Sequence, residues 1–300
     1  MSLTLRRIGL IGFGEVGAIL GEDLVRAGCG VRAYDILLDA PDARGAMRRK
    51  AEHVGVEVAA STHAAVTDAD LIVSAVTAAS SGDVAAAASP TLRSGQIFLD
   101  INSVSPQTKR SNAQRIEASG ADYVEAAVMA AIAPQRLAVP MLLGGARAGE
   151  LAEVLRGLGM KATAISDEIG VASAVKMCRS IVIKGLEALT LECLLGARRF
   201  GAERQVLASL DATFPHMGWG EALPDYLVSR VAEHGRRRAE EMREVARTLA
   251  SVGIEPLMAA ATAQRQQALI DRMAARGLDY ASGAYGTWQQ LVDELKADCA

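Results

Sequence analysis

The chain has 300 residues, half of them hydrophobic and 22% charged, enough to bury a core in one large domain or two ordinary ones. Its formal net charge of −3 lacks the basic footprint of a nucleic-acid binder. No apolar run reaches the roughly 18 residues that a membrane span requires, so neither nucleic acid nor a membrane is an expected partner.

Two arginines and a short apolar run near the N-terminus look superficially like a signal peptide, but Gly12, Gly14 and Glu15 end that run early. Short apolar strands are predicted at 8–11, 31–34, 71–76, 97–101, 123–127 and 141–143, bounded by Gly, Asp, Ser or Pro. Helices are predicted between them at 15–27, 43–53, 80–88 and 105–118. Near-continuous apolar strands separated by helices imply an α/β domain, a doubly wound and mostly parallel Rossmann-type sheet covered on both faces. Strand signals stop near Ile165, and an almost uninterrupted apolar run, about residues 170–197, follows. As a helix it is apolar on most sides and should be buried on most sides. Further helices are expected at 203–211, 227–250, 256–275 and 285–297. In the second of these, Leu227, Val231, Met242, Val245 and Leu249 keep three- and four-residue spacing. The organisation is therefore a Rossmann-type α/β domain over 1–166 and an all-helical domain over 167–300, joined directly through the long helix.

Cys29, Cys178, Cys193 and Cys299 form no CxxC pair and have no histidine at metal spacing, while His53, His63, His216 and His234 are scattered. Reduced thiols, a cytoplasmic setting and no metal site are the expectation.

Gly12-Phe13-Gly14-Glu15-Val16-Gly17 is a GxGxxG motif that follows one predicted strand and opens a helix, the context in which it binds a dinucleotide. The first glycine permits the tight turn, the second lets backbone approach a pyrophosphate, and the third lets helix pack on strand. Phosphates would then meet free N–H groups and the positive end of the helix dipole. Asp35 ends the second strand, 18 residues after Gly17. A carboxylate there can accept both adenosine ribose hydroxyls and repels the 2′-phosphate of NADP, which favours NAD. Arg44, Arg48, Arg49 and Lys50 lie just downstream and could reach such a phosphate, or could simply form a solvated helix face. Val76 and Thr77, closing the third strand, are further cofactor candidates.

Only six of the 32 basic residues are lysines, and two of them, Lys176 and Lys184, fall in the apolar helix. At about 100° per residue, Lys176, Arg179, Ser180, Ile183 and Glu187 share one face, with Lys184 at its margin. Such a stripe serves either a ligand or a salt-bridged set. A desolvated lysine beside another cation has a lowered pKa suited to general acid–base work. Arg236, Glu240, Arg243 and Arg247 are expected to pair along a solvated helix face.

These motifs, in this order, resemble the β-hydroxyacid dehydrogenase family, which includes 3-hydroxyisobutyrate and 6-phosphogluconate dehydrogenases. The resemblance covers about two-thirds of the chain. It rests on Gly12–Gly17 with the closing Ala27-Gly28, on Asp100-Ile-Asn102-Ser103-Val-Ser-Pro106 against the family's Asp-x-Ser-Thr-x-x-Pro, and on Gly170-Val-Ala172-Ser-Ala-Val-Lys176 against its Gly-x-Gly-x-x-x-Lys. It implies that Lys176 is the catalytic acid–base, that Asn102 and Ser103 contact substrate, and that the helical domain builds a homodimer. The departures are specific. The family's Ser-Gly-Gly loop reads Met129-Ala130-Ala131 after Val128, which makes that substrate wall more apolar. The amide three residues after the lysine is Arg179, followed by Ser180. The acid that decarboxylases carry seven residues after the lysine is Ile183, which argues against decarboxylation, and the family's C-terminal Lys-Asp pair reads Glu240-Glu241. The chain thus looks like a divergent subgroup with a C-terminal domain of unknown function.

The function expected is reversible NAD-linked oxidation of the secondary alcohol of a small acidic hydroxy or keto substrate, held between the nicotinamide and the long helix, with Arg179 binding the acid. Imine reduction is the alternative chemistry, disfavoured by the retained Lys176. A non-catalytic dinucleotide sensor or assembly module is the alternative of another class, suggested by the altered substrate loop and opposed by Lys176 and Asp35.

Overall fold

The computed structural model describes residues 3–280 and 286–295. The chain forms two compact units that divide between Lys176 and Met177.

The first unit is an eight-stranded sheet in the order β3-β2-β1-β4-β5-β6-β7-β8. Its strands are β1 (Arg7–Ile11), β2 (Gly30–Tyr34), β3 (Glu57–Val58), β4 (Leu71–Ser74), β5 (Ile97–Asp100), β6 (Asp122–Val128), β7 (Pro140–Gly144) and β8 (Lys161–Ser166). Every neighbouring pair is parallel except β6 with β7. The order reverses between β1 and β4, the switch point at which doubly wound sheets take their ligands. The intervening helices are α1 (Glu15–Arg26), α2 (Pro41–His53), α3 (Thr62–Val66), α4 (Ser81–Ala88), α5 (Pro106–Glu117), α6 (Ile132–Gln135) and α7 (Ala148–Gly157).

Strand alternation sends residues to two cores. Leu10, Val73, Leu99 and Val124 pack on one face, and Ile11, Ile72, Phe98 and Tyr123 on the other. Phe98 and Tyr123 stack with ring centroids 6.0 Å apart. Both faces are covered, which explains why β1, β4 and β5 read as continuous apolar runs. All six predicted strands are present. The sequence reading missed β3, which is two residues long, and β8, five of whose six residues are not fully buried on a mixed polar pattern, together with α3, α6 and α7. It also ran β4 two residues too far: the chain leaves the sheet after Ser74 because the Val76 N–H goes to the Asn102 side chain.

A single helix, α8 (Val171–Phe200), begins in the first unit and continues into the second. The rest of the second unit is helical: α9 (Glu203–Thr213), α10 (Leu223–Ser251), α11 (Leu257–Ala274) and α12 (Trp288–Glu294). The predicted 285–297 helix is seen as α12; Tyr285, 296, 297 and Cys299 lie outside the described residues. Leu191, Leu194, Val231, Leu269, Trp288 and Leu291 form one core, and Met177, Met242, Val245, Ala259 and Ala263 a smaller one. At Gly235 the helices α10 and α11 pack so closely that an added Cβ would lie 2.7 Å from Ile270.

Two expectations about these helices are corrected. First, α8 is not buried on most sides: Val182 is 70% exposed, Leu189 58% and Phe200 88%. Second, Arg236, Glu240, Arg243 and Arg247 are exposed as expected but do not pair with one another. Arg237 bonds Glu241, Arg247 bonds Glu244, and Arg243 reaches Gln267 on α11. Among the described residues no helix is long and apolar enough to cross a membrane, and no group of three or more His, Cys, Asp or Glu could hold a metal ion. Cys29, Cys178 and Cys193 are free thiols.

Candidate functional site

β1, β4, β5 and β6 run parallel, with Ile11, Ser74, Asp100 and Glu125 in register. The segments after them, Gly12–Gly17, Val76–Thr77, Asn102–Ser103 and Val128–Ala130, therefore emerge along one edge of the sheet. A cleft of about 620 Å³ opens there, lined among others by Gly12, Gly14, Glu15, Val16, Asp35, Val76 and Thr77.

The three motif glycines have different causes. Gly12 has φ +94°, and a Cβ there would sit 2.3 Å from the Ala75 carbonyl oxygen. A Cβ on Gly17 would sit 2.1 Å from the Gly12 oxygen, so α1 packs on β1 only with glycine at that position. Gly14 has no protein atom within 4 Å of the Cβ position. Packing does not demand glycine at 14; open space beside the first turn of a helix suits a group that must approach backbone closely, such as a pyrophosphate. The residues present therefore fit a dinucleotide.

Asp35 works inside the fold as well as at the cleft. Its Oδ2 accepts the Phe13 N–H at 2.7 Å, and its Oδ1 accepts the Leu37 N–H at 3.0 Å, capping a 3₁₀ turn at Ile36–Leu38. Each oxygen keeps a lone pair for a further donor. Ile36 and Leu37, 76% and 47% exposed, add an apolar wall at this end that the sequence reading did not identify. Beside them Tyr34 donates to Asp39, and that bond, with burial and the two nearby carboxylates, pushes its pKa up to about 12.

The basic cluster downstream is partly committed to backbone. Arg44 Nε donates to the Leu38 carbonyl at 2.7 Å, and its guanidinium also reaches the Asp39 carbonyl. Lys50 Nζ donates to the carbonyls of Phe13 at 2.9 Å and Gly14 at 2.8 Å. Arg48 and Arg49 are exposed.

Behind the cleft lies a buried polar network. Asp100 and Lys109, each 1% exposed in the side chain, pair at 2.9 Å, and Lys109 also donates to the Asp100 carbonyl at 2.7 Å. Tyr123 donates its hydroxyl to Asp100 at 2.7 Å, the Asn102 N–H donates at 2.9 Å, and Asn112 donates at 3.3 Å. Burial pushes the Asp100 carboxyl up, but the Lys109 charge and the hydrogen bonds from Lys109, Tyr123 and the Asn102 N–H outweigh it and hold the group below its ordinary value. The Asn102 amide is used inside this network: Oδ1 accepts the Val76 N–H at 2.7 Å, and Nδ2 donates to Ser74 at 2.9 Å and Ser81 at 3.4 Å. Ser103 beside it is half-buried.

The start of α8 is held by a residue that sequence reasoning missed. Glu125, fully buried in β6, accepts the N–H groups of Gly170 at 2.6 Å, Ala172 at 3.0 Å and Ser173 at 3.3 Å. A carboxylate at a helix N-terminus satisfies orphan donors and complements the dipole. Gly170 (φ +105°) packs under Arg110, whose Nε donates to the Ile169 carbonyl. This anchored turn carries Lys176, half-buried, little more than one turn further along α8. The available signal was an acid interrupting an apolar strand.

At the end of β6, Val128 is buried, Met129 half-buried with its N–H on the Pro140 carbonyl, and Ala130 exposed. Further along α8, in the second unit, Arg179 is exposed and Ser180 half-buried. The stripe shared with Glu187 divides there. Glu187, 1% exposed, pairs with Arg238 at 2.7 Å, and Lys184 pairs with Glu241 at 2.7 Å. Burial raises the Glu187 carboxyl and lowers the Lys184 ammonium, in each case against the pull of the partner.

Comparisons with known proteins identify the family of the chain. Residues 7–166 match the NAD binding domain of 6-phosphogluconate dehydrogenase, and residues 197–269 match a domain of unknown function, DUF1932. A conserved hypothetical protein from Sinorhizobium meliloti has a solved structure that is 37% identical, with a TM-score of 0.83 over 98% of this chain and 97% of that one. The conserved protein MTH1747, of unknown function and described as structurally similar to 3-hydroxyacid dehydrogenases, is 32% identical, with a TM-score of 0.74 over 88% and 97%. The mitochondrial 3-hydroxyisobutyrate dehydrogenase of Drosophila melanogaster is 25% identical over 213 residues, 68% of this chain and 62% of that enzyme. The chain belongs to the family of the 6-phosphogluconate dehydrogenase NAD-binding domain, in the branch in which a DUF1932 domain follows it.

Proposed function

We propose that this protein is an NAD-dependent dehydrogenase acting on the secondary alcohol of a small acidic hydroxy acid, or on the corresponding ketone, without decarboxylation. The observation that carries the proposal is a cleft whose open Gly14 and Asp35 suit a dinucleotide, together with Lys176 on a helix whose first turn is tied to the same sheet by Glu125. The similarity to 3-hydroxyacid dehydrogenases supports the reaction class. When bound, the nicotinamide supplies the position that accepts or gives up a hydride.

In this proposal Lys176 takes the hydroxyl proton from the substrate oxygen as the carbon is oxidised, and returns it in the reverse direction. Phe13, Glu15 and Val16 complete the loop around Gly12, Gly14 and Gly17, and Val76 and Thr77 form the facing wall. Asp35 accepts ribose hydroxyls with its remaining lone pairs. The engagement of Arg44 and Lys50 with backbone carbonyls leaves fewer cations for a 2′-phosphate, which supports NAD over NADP. Asn102 and Ser103 form the polar side of the substrate site, Asn102 by holding the Val76 segment, and Val128, Met129 and Ala130 the apolar side. Arg179, one turn after Lys176, binds the substrate carboxylate bidentately, with Ser180 beside it. Ile183 stands where decarboxylases carry an acid. A homodimer through the helical domain is part of the proposal, supported by exposed Val182, Leu189 and Phe200. The free cysteines suit a cytoplasmic setting.

The test is NAD reduction, followed by nicotinamide absorbance, against hydroxy acids from glycerate and threonate to aryl-substituted 3-hydroxy acids. Turnover on members of this panel is expected. Activity confined to cyclic imines would replace the proposal with imine reduction. Tight dinucleotide binding without turnover on either panel would replace it with a sensor or assembly role.

A further inference from the structure

Lys50 lies 36 residues after Gly14 in the chain, yet its ammonium donates to two successive carbonyls of the glycine loop, those of Phe13 and Gly14. It also sits 5.4 Å over the centroid of the buried Phe13 ring, an attractive cation–π placement. From the opposite direction in charge, Asp35 accepts the Phe13 N–H. Three consecutive peptide groups are thereby fixed by two side chains.

The orientation follows from peptide planarity. In a trans peptide the C=O and the N–H of the same unit point in opposite directions. A carbonyl of Phe13 turned onto Lys50 turns the N–H of Gly14 away from it. The Gly14 carbonyl, shared between Lys50 and the Ala18 N–H, likewise turns the Glu15 N–H outward. Gly14 and Glu15 both line the cleft, and Gly14 meets open space there. A cation on the carbonyl side also polarises each peptide and strengthens its N–H as a donor.

We propose that Lys50 is the positioning residue of the dinucleotide loop: it orients and polarises the Gly14 and Glu15 N–H groups toward the pyrophosphate, and is not a ligand of a 2′-phosphate. This rests on the proposal that the cleft takes a nicotinamide dinucleotide. The two roles leave different signatures. A 2′-phosphate ligand acts on NADP alone. A loop-orienting residue acts on every ligand that carries the pyrophosphate, by the same factor.

The experiment is calorimetric titration of NAD, NADP and ADP-ribose into wild type, Lys50→Met and Lys50→Arg, without substrate or turnover. A loop left in its binding orientation about a tenth of the time weakens all three ligands about tenfold. Lys50→Met is expected to show this common factor, and Lys50→Arg, which keeps charge and donors, to recover most of the loss. Lys50→Gln serves in place of Lys50→Met if the latter does not fold. Unchanged affinities, or a loss confined to NADP, would overturn the inference while leaving the function proposed above intact. A wild type that binds none of the three ligands would instead refute the proposed function.

Discussion

Replacing Lys109 by methionine breaks the buried pair with Asp100 while keeping an unbranched side chain of similar length. Both partners are 1% exposed, so the carboxylate left behind has no access to water. Breaking one side of a buried pair costs about 3–5 kcal/mol. The surviving bonds to Asp100 from Tyr123, Asn102 and Asn112 place the expected loss near the lower end, about 3 kcal/mol. At about 2–4 °C per kcal/mol for a protein of this size, the variant should melt about 6–12 °C lower at neutral pH. The pH dependence identifies the cause. In wild type the folded carboxyl lies below its unfolded value, so its contribution is complete above about pH 4 and is lost as pH falls through the folded value. Without Lys109, burial is no longer outweighed, and the folded carboxyl moves above the unfolded one. That penalty is greatest at neutral pH and is relieved as the acid protonates. Thermal unfolding followed by circular dichroism at about pH 7 and about pH 5 should show the gap between variant and wild type narrowing on acidification. A gap below about 2 °C at neutral pH, or one that does not change with pH, would refute this account of the network.

Other perturbations have equally direct readouts. Gly14→Ala meets no protein atom, so the unliganded protein should keep its stability within about 0.5 kcal/mol while dinucleotide affinity falls; Gly17→Ala should lose both, because its Cβ would strike the Gly12 oxygen. Calorimetry and thermal melts on the two variants separate ligand space from packing space. Glu125→Gln removes the charge that accepts three N–H groups at the start of α8 and should destabilise the first unit by about 2 kcal/mol in chemical denaturation. With NAD affinity retained, the same variant should lower kcat through the misplaced Lys176. Arg179→Ala should raise KM for acidic substrates and leave NAD binding unchanged; an unaltered KM for every acid would remove Arg179 from the site.

The parts of this molecule that were legible in the sequence are those written in local pattern. Short apolar runs ending in Gly12, Asp35 and Asp100 signalled a buried parallel sheet, and the spacing of Gly12, Gly14 and Gly17 before a helix marked the loop. The parts that were not legible depend on partners distant in the chain. Glu125 meets the backbone of Gly170 45 residues away, and its side chain left no periodic signal except a charge in an apolar strand. Lys50 read as a candidate phosphate ligand because composition records its charge and not the carbonyls that it meets. The stripe on α8 was recognised, but which of its charges pair inside the helical unit was settled by Arg238 and Glu241 on another helix. The apolar surface of α8 misled in the other direction, since hydrophobicity alone does not distinguish a side chain covered within one chain from Leu189 or Phe200, which are exposed.

The central claim is that Lys176 moves the proton in a dinucleotide-dependent oxidation. Its most direct test is single-turnover hydride transfer in Lys176→Ala, with the best substrate of the hydroxy-acid panel and with NAD affinity measured on the same preparation. The account predicts NAD affinity within about twofold of wild type and a transfer rate lower by about 10²–10⁴. A transfer rate close to wild type at equal NAD affinity would contradict it.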